Sequence, residues 1–174
     1  MPATPAPPNA PASVRRSARV LLLDTDDRLL LFRSLLDPDR PDAGYYWVTP
    51  GGGVREGESL PAAAARELAE ETGLRVAPGA LGRLVAHTSG YAELTWASGV
   101  FEDVFFLHRV VRHTVDTSGF EAHERAATAG HRWWTADDLA ATAEPVFPYG
   151  LPPLLADLRD GRTPSAPVRL PWHH

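Results

Sequence analysis

The sequence predicts an α/β domain, a mixed β-sheet sandwiched between helices. Three observations predict it. Apolar runs of strand length recur between Ser17 and Trp134. One strongly marked helix, "SLPAAAARELAEETG", interrupts them, and a leucine-rich segment, "LPPLLADLRDG", follows the last run. With 174 residues the chain suits one domain with a full core.

The elements follow in order. Residues 1–16 read as a Pro/Ala-rich tail, with five prolines in the first 13 positions. The domain is expected over 17–160. "SARVLLLD" and "RLLLFRS" flank the turn tripeptide "TDD" and predict a β-hairpin. "LLDPDRPDAG" is a loop, and "YYWVTP" a short aromatic strand entering Gly51 to Gly53. The central helix carries its own start and stop. Ser59 can cap it, Pro61 sits in the first turn where a missing N–H costs nothing, and Gly73 can take the left-handed exit. Leu60, Ala64, Ala65 and Leu68 give it a core-facing stripe. Strands are expected near 80–88, 92–97 and 100–110, then a loop with Gly119, Glu121 and Glu124. A short strand "HRWW", a helix capped by Thr135 and a last helix stopped by Gly161 complete the domain. Residues 161–174 read as a second proline-rich tail.

Composition narrows the function. A net charge of −5 argues against nucleic-acid phosphates or anionic membranes as partners. A small phosphorylated substrate remains open, because a metal can neutralise it. No cysteine is present, which removes disulfides, zinc–thiolate sites and thiol catalysis. No apolar run reaches membrane-spanning length. The N-terminus lacks the apolar core of a secretory signal, so a cytoplasmic protein is expected.

The central helix poses a problem of its own. Glu67, Glu70 and Glu71 stand at i, i+3 and i+4, so they project from nearly one side and repel. A hard cation such as Mg²⁺ reverses that balance, since it takes carboxylates, water and substrate phosphates as ligands. A carboxylate stripe of this kind suits a metal site over a diphosphate.

Residues 52–74, "GGVREGESLPAAAARELAEETGL", sharpen this. They run glycine, five residues, Glu58, seven residues, Arg66, Glu67, Leu68, one residue, Glu70, Glu71, one residue, Gly73, Leu74. The pattern resembles the Nudix box, G-x5-E-x7-R-E-U-x-E-E-x-G-U with U aliphatic, at every position. Seven fixed letters match by chance on the order of 10⁻⁸ to 10⁻⁹ per register, so the resemblance is specific. "WVTPGGG" before the box, and "RWWT" and the leucine-rich helix after it, extend it over most of 17–160.

The resemblance implies a Nudix fold and a Mg²⁺-dependent pyrophosphohydrolase, with Mn²⁺ as substitute, acting on a nucleoside diphosphate linked to another group. Candidate substrates are nucleoside triphosphates, ADP-ribose and other nucleotide sugars, and dinucleoside polyphosphates. It implies Glu70 and Glu71 as principal metal ligands, helped by a backbone carbonyl of Gly51 or Gly52. Glu67 would be a further ligand or the base that orients water, and Arg66 would hold the glutamates in place. Glu58 is metal-linked or structural. One more carboxylate comes from outside the box, Glu124 first and Glu121 second. Arg33, at a strand end, can reach a phosphate or equally be a surface charge, and Tyr91 resembles a tyrosine that some dinucleoside-polyphosphate hydrolases of the family carry past the box. The competing readings are a non-catalytic module sensing a nucleotide or ADP-ribose, and a diphosphate isomerase that would want a cysteine this chain lacks. The aromatics of "YYWV" and "RWW" serve either the core or a homodimer interface.

Overall fold

In the computed structural model, which describes residues 14–94 and 96–173, nine strands form one branched sheet. The expected tail over residues 1–13 lies outside the described residues. Residues 14–16, also expected there, already belong to β1 (Val14–Leu23).

β1 is the centre of the sheet. Ala18, Val20 and Leu22 pack into one core layer with Ala63, Ala64, Ala65 and Leu68 of α1 (Leu60–Thr72). Leu21 and Leu23 pack into the other, with Leu151, Leu154, Leu155 and Leu158 of α4 (Leu151–Arg159). Burial on both faces explains why "VLLL" is an unbroken apolar run without alternation.

β1 pairs in parallel with β6 (Ser98–Arg109) along its whole length. On the opposite edge it meets β2 (Leu29–Leu35) antiparallel at Leu23↔Leu29, and β4 (Gly51–Gly53) at Ser17 to Arg19. The expected hairpin is thus closed at its turn and open beyond it. β2 continues between β3 (Tyr45–Val48) and β7 (Thr128–Trp134). The separation of β1 from β2 makes room for a cleft.

α1 begins and ends on the residues its sequence marks. The Ser59 hydroxyl accepts from the Ala62 N–H at 3.3 Å, and Gly73 takes φ 73° with its N–H on the Ala69 carbonyl. Trp47 and Trp134 meet edge to face at 4.7 Å inside the core, which is where those aromatics are spent. α3 (Ala136–Ala141) is capped by Thr135, and β8 (Val146–Phe147) pairs with β3. Among the described residues no helix is long and apolar enough to cross a membrane.

Three expectations are corrected. The three strands expected over 80–110 are two, β5 (Leu84–Glu93) and β6, because the chain reverses where the Leu94 N–H meets the Ala97 carbonyl. The loop holding Glu121 and Glu124 contains a helix, α2 (Ala122–Ala127). Glu121 and Glu124 build it by capping each other: the Glu121 N–H donates to Glu124 Oε2 at 2.7 Å, and the Glu121 side chain accepts from the Glu124 N–H. Finally, the C-terminal tail is docked. β9 (Val168–Arg169) pairs with β5, Leu170 and Trp172 are buried, and the Trp172 indole N–H donates to the Tyr91 carbonyl at 3.2 Å. Gly90 makes the seat, since a side chain there would collide with the Trp172 ring.

Candidate active site

The cleft encloses about 780 Å³ and is walled by β1, β3, β4, α1 and α2. β4 is three glycines, and the reason is proximity to the glutamates. A Cβ on Gly52 would lie 2.8–2.9 Å from the Glu67 carboxylate. The Gly51 N–H donates to Glu71 Oε2 at 2.7 Å. Glycine lets α1 bring its carboxylates against the strand backbone.

Glu67, Glu71 and Glu124 converge there. One carboxylate oxygen from each lies within 4.8 Å of the other two. Burial pushes the Glu71 carboxyl up to about 8; the Gly51 N–H and Arg19 oppose the shift, while Glu67 and Glu124 add to it. Burial likewise raises Glu67, against the pull of Arg66. Two acids that resist ionising, Glu67 and Glu71, with the Glu124 carboxylate beside them in a cleft, form a donor set that fits a hard divalent cation.

Arg66 organises the flank of this cluster. Its guanidinium donates to Glu58 Oε1 and Oε2 at 2.8 and 2.9 Å, to Glu67 Oε1 at 2.6 Å, to Glu70 Oε2 at 3.1 Å and to the Gly53 carbonyl at 2.9 Å. Glu58 also accepts from the Arg55 N–H. The Arg66 guanidinium holds the Glu58 carboxyl down at about 2. Glu58 is thereby the anchor of Arg66, outside the acidic trio. Glu70 lines the cleft half-exposed, shared between Arg66 and Arg55, and is also outside the trio. Glu121 lines the rim, near His123.

Gly51 and Gly52 both line the cleft. The Gly51 carbonyl is met by Arg19 Nη1 at 3.2 Å, and the same nitrogen donates to the Thr49 carbonyl at 3.0 Å. Arg19 belongs to no sequence motif, although an arginine directly before "VLLL" marks a charge kept within a buried strand. It is pinned between these carbonyls and Asp103, whose Oδ1 lies 3.7 Å from its Nε.

Arg33 and Tyr91 are not brought into the cleft lining. Arg33 forms a two-pronged pair with Glu144 and stacks over Tyr45 at 3.7 Å. Glu144 also accepts from the Trp47 indole at 2.6 Å, so this arginine ties β2 and β3 to the segment before β8. Tyr91 is buried on β5 beneath the C-terminal segment, with its hydroxyl on Glu93 at 3.2 Å. Both positions are set by partners far away in sequence.

Comparison with known proteins agrees with this architecture. Residues 13–155 match the family model described as the NUDIX domain. The chain is 31% identical over 147 residues to an RNA pyrophosphohydrolase of Caulobacter vibrioides, covering 78% of each protein. It is 31% identical over 118 residues to diphosphoinositol polyphosphate phosphohydrolase 2 of Rattus norvegicus, covering 66% of this chain and 54% of that one. Among solved structures, the MutT protein of Methanosarcina mazei Go1 aligns with a TM-score of 0.59 at 19% identity, covering 85% of this chain and 94% of its own. The E. coli ORF135 protein aligns with a TM-score of 0.59 at 22% identity, covering 88% and 96%. At those identities the structures speak for the fold alone.

Proposed function

Because this chain belongs to the Nudix hydrolase family, a family that cleaves phosphoanhydride bonds, we propose that its cleft hydrolyses a nucleoside diphosphate linked to another group, with Mg²⁺ as cofactor. The observation that carries the proposal is the meeting of Glu67, Glu71 and Glu124. These three would hold the cation, with Mn²⁺ as substitute, and Glu70 and the glycines of β4 line the same cleft. A bound divalent cation supplies neutralisation of phosphate charge and acidification of water. The chain's own groups do the rest. Glu67 accepts the proton of the attacking water as the new P–O bond forms and the phosphoanhydride bond breaks, releasing a nucleoside monophosphate and the phosphorylated second group. Arg66 positions Glu67, and Glu58 positions Arg66.

The relatives' names span two chemistries, an RNA and a diphosphoinositol polyphosphate, so the substrate panel must include both. We assign the protein to the cytoplasm, and leave a homodimer to be read by sizing the free protein. The test is phosphate and monophosphate release from nucleoside triphosphates, ADP-ribose, dinucleoside polyphosphates, 5′-triphosphate RNA and a diphosphoinositol phosphate, in Mg²⁺ and in excess chelator. Turnover in Mg²⁺ alone supports the proposal. Turnover that survives chelation overturns the metal reading, and tight binding of a panel member without turnover supports the sensing module instead.

A further inference from the structure

One large apolar side chain on the cleft has no structural debt to the core. Trp96 is 70% exposed, in the turn between β5 and β6, and it lines the cleft. A tryptophan left in water forgoes a large burial gain, and on the lining of this cleft its ring offers a planar apolar surface to a ligand. Its orientation is nevertheless held. Phe101 meets it edge to face at 6.0 Å, and the Arg15 guanidinium lies 5.9 Å from its ring centre. Arg15 and Phe101 are themselves neighbours across the β1–β6 ladder.

The position of this ring relative to the acidic cluster can be paced along β1. Arg15, Ser17 and Arg19 alternate onto one face of the strand, and all three line the cleft. Arg19 sits beside Gly51 and acts on Glu71, while Arg15 sits beside Trp96. Four residues of strand separate them, about 13 Å. The cleft thus offers carboxylates for a cation at one end, arginines along the wall, and an aromatic ring at the other end. An elongated ligand with a polyphosphate at one end and a planar ring at the other matches that order of groups.

Resting on the hydrolase reading above, we propose that Trp96, held by Phe101 and Arg15, is the platform on which the base of a nucleotide substrate stacks. It is then the residue that makes this enzyme prefer nucleotides to diphosphates without an aromatic ring. Arg15 serves the platform by fixing the indole.

The test compares wild type, Trp96→Ala and Trp96→Phe by calorimetric titration in Mg²⁺. The probes are adenosine 5′-(α,β-methylene)diphosphate and methylenediphosphonate, which keep the bridging group and differ in the nucleoside. Loss of a stacking surface should weaken the nucleotide probe by about fivefold to a hundredfold in Trp96→Ala. The base-free probe should change by less than about twofold, a small fraction of one stacking contact, and Trp96→Phe should recover most of the loss. Equal weakening of both probes, or none of either, overturns the platform. Neither outcome depends on turnover, so a wild type that hydrolyses nothing refutes the hydrolase reading separately.

Discussion

Replacing Glu124 with glutamine separates the two things that residue does. One oxygen caps α2 through the Glu121 N–H, and the carboxylate also reaches within 4.8 Å of Glu67 and Glu71. Glutamine is as good as glutamate at this capping position, so the helix should survive. The charge should not. Two unit charges 4.8 Å apart repel by roughly 1 kcal/mol at the dielectric of water and about 3.5 kcal/mol at an effective dielectric of 20. Glu71, partly protonated in the cation-free protein, takes up some of that strain. In chelator, Glu124→Gln should therefore be at least as stable as wild type, with Tm equal or higher by about 2–4 °C per kcal/mol relieved. In Mg²⁺ the order reverses, because wild type gains more from binding the cation. Turnover should fall at least about tenfold, the scale of one lost electrostatic contact in the transition state. Thermal melts with and without Mg²⁺, alongside monophosphate release, read all of this. Glu121→Gln, whose side chain is 62% exposed beside His123, is the control and should stay near wild type in turnover. A Glu124→Gln protein that is fully active, or that melts lower in chelator, refutes the reasoning. If Glu121→Gln alone is damaging, the wrong carboxylate has been placed at the cation.

Other perturbations probe the neighbouring contacts. The Glu71 carboxyl titrates at about 8 in the folded protein against 4.5 ordinarily, so the native state keeps a proton that the unfolded chain has lost in that window. Cation-free Tm should then fall as pH rises from about 5 to 8, and millimolar Mg²⁺ should flatten the fall; a Tm in chelator that is level across this range would contradict it. Gly52→Ala puts a methyl 2.8 Å from the Glu67 carboxyl carbon, and should cut turnover by about tenfold or more while costing about 1 kcal/mol of stability. Equal activity in the alanine variant would mean Glu67 moves without consequence. Trp172→Ala removes a buried indole and its hydrogen bond to Tyr91, and should lower Tm by about 6 °C or more. An unchanged melt would show that the last residues are not anchored in solution.

Much of the architecture was legible because its signals are local. Ser59, Pro61 and Gly73 mark α1 without help from the rest of the chain, and "VLLL" declares a strand buried on both faces. The acidic stripe was legible for the same reason, and the structure brings Glu67 and Glu71 together within it. What was not legible depends on distant partners. Arg33 looked available for phosphate, but Glu144 lies 111 positions away. Residues 161–174 share the proline-rich composition of the first 13, and only the bare backbone of Gly90 gives Trp172 a place to lie. The helix around Glu124 escaped notice because it is six residues long and rests on two glutamates capping each other. Trp96 carries no pattern at all; its place on the cleft appears only when β1 and β6 are laid side by side.

The docked C-terminus also governs how the molecule behaves among copies of itself. β5 pairs with β6 on one side, and its other side is covered at Ala86 and His87 by β9. The Leu170 N–H on the His87 carbonyl and the Thr88 hydroxyl on the Pro171 carbonyl extend that cover. Without residues 168–172 this stretch of β5 would present unpaired amides and carbonyls, a template for another chain's strand. The last few residues thus act as a guard against edge-to-edge aggregation. A chain cut before residue 168 should be judged first by its solubility on storage.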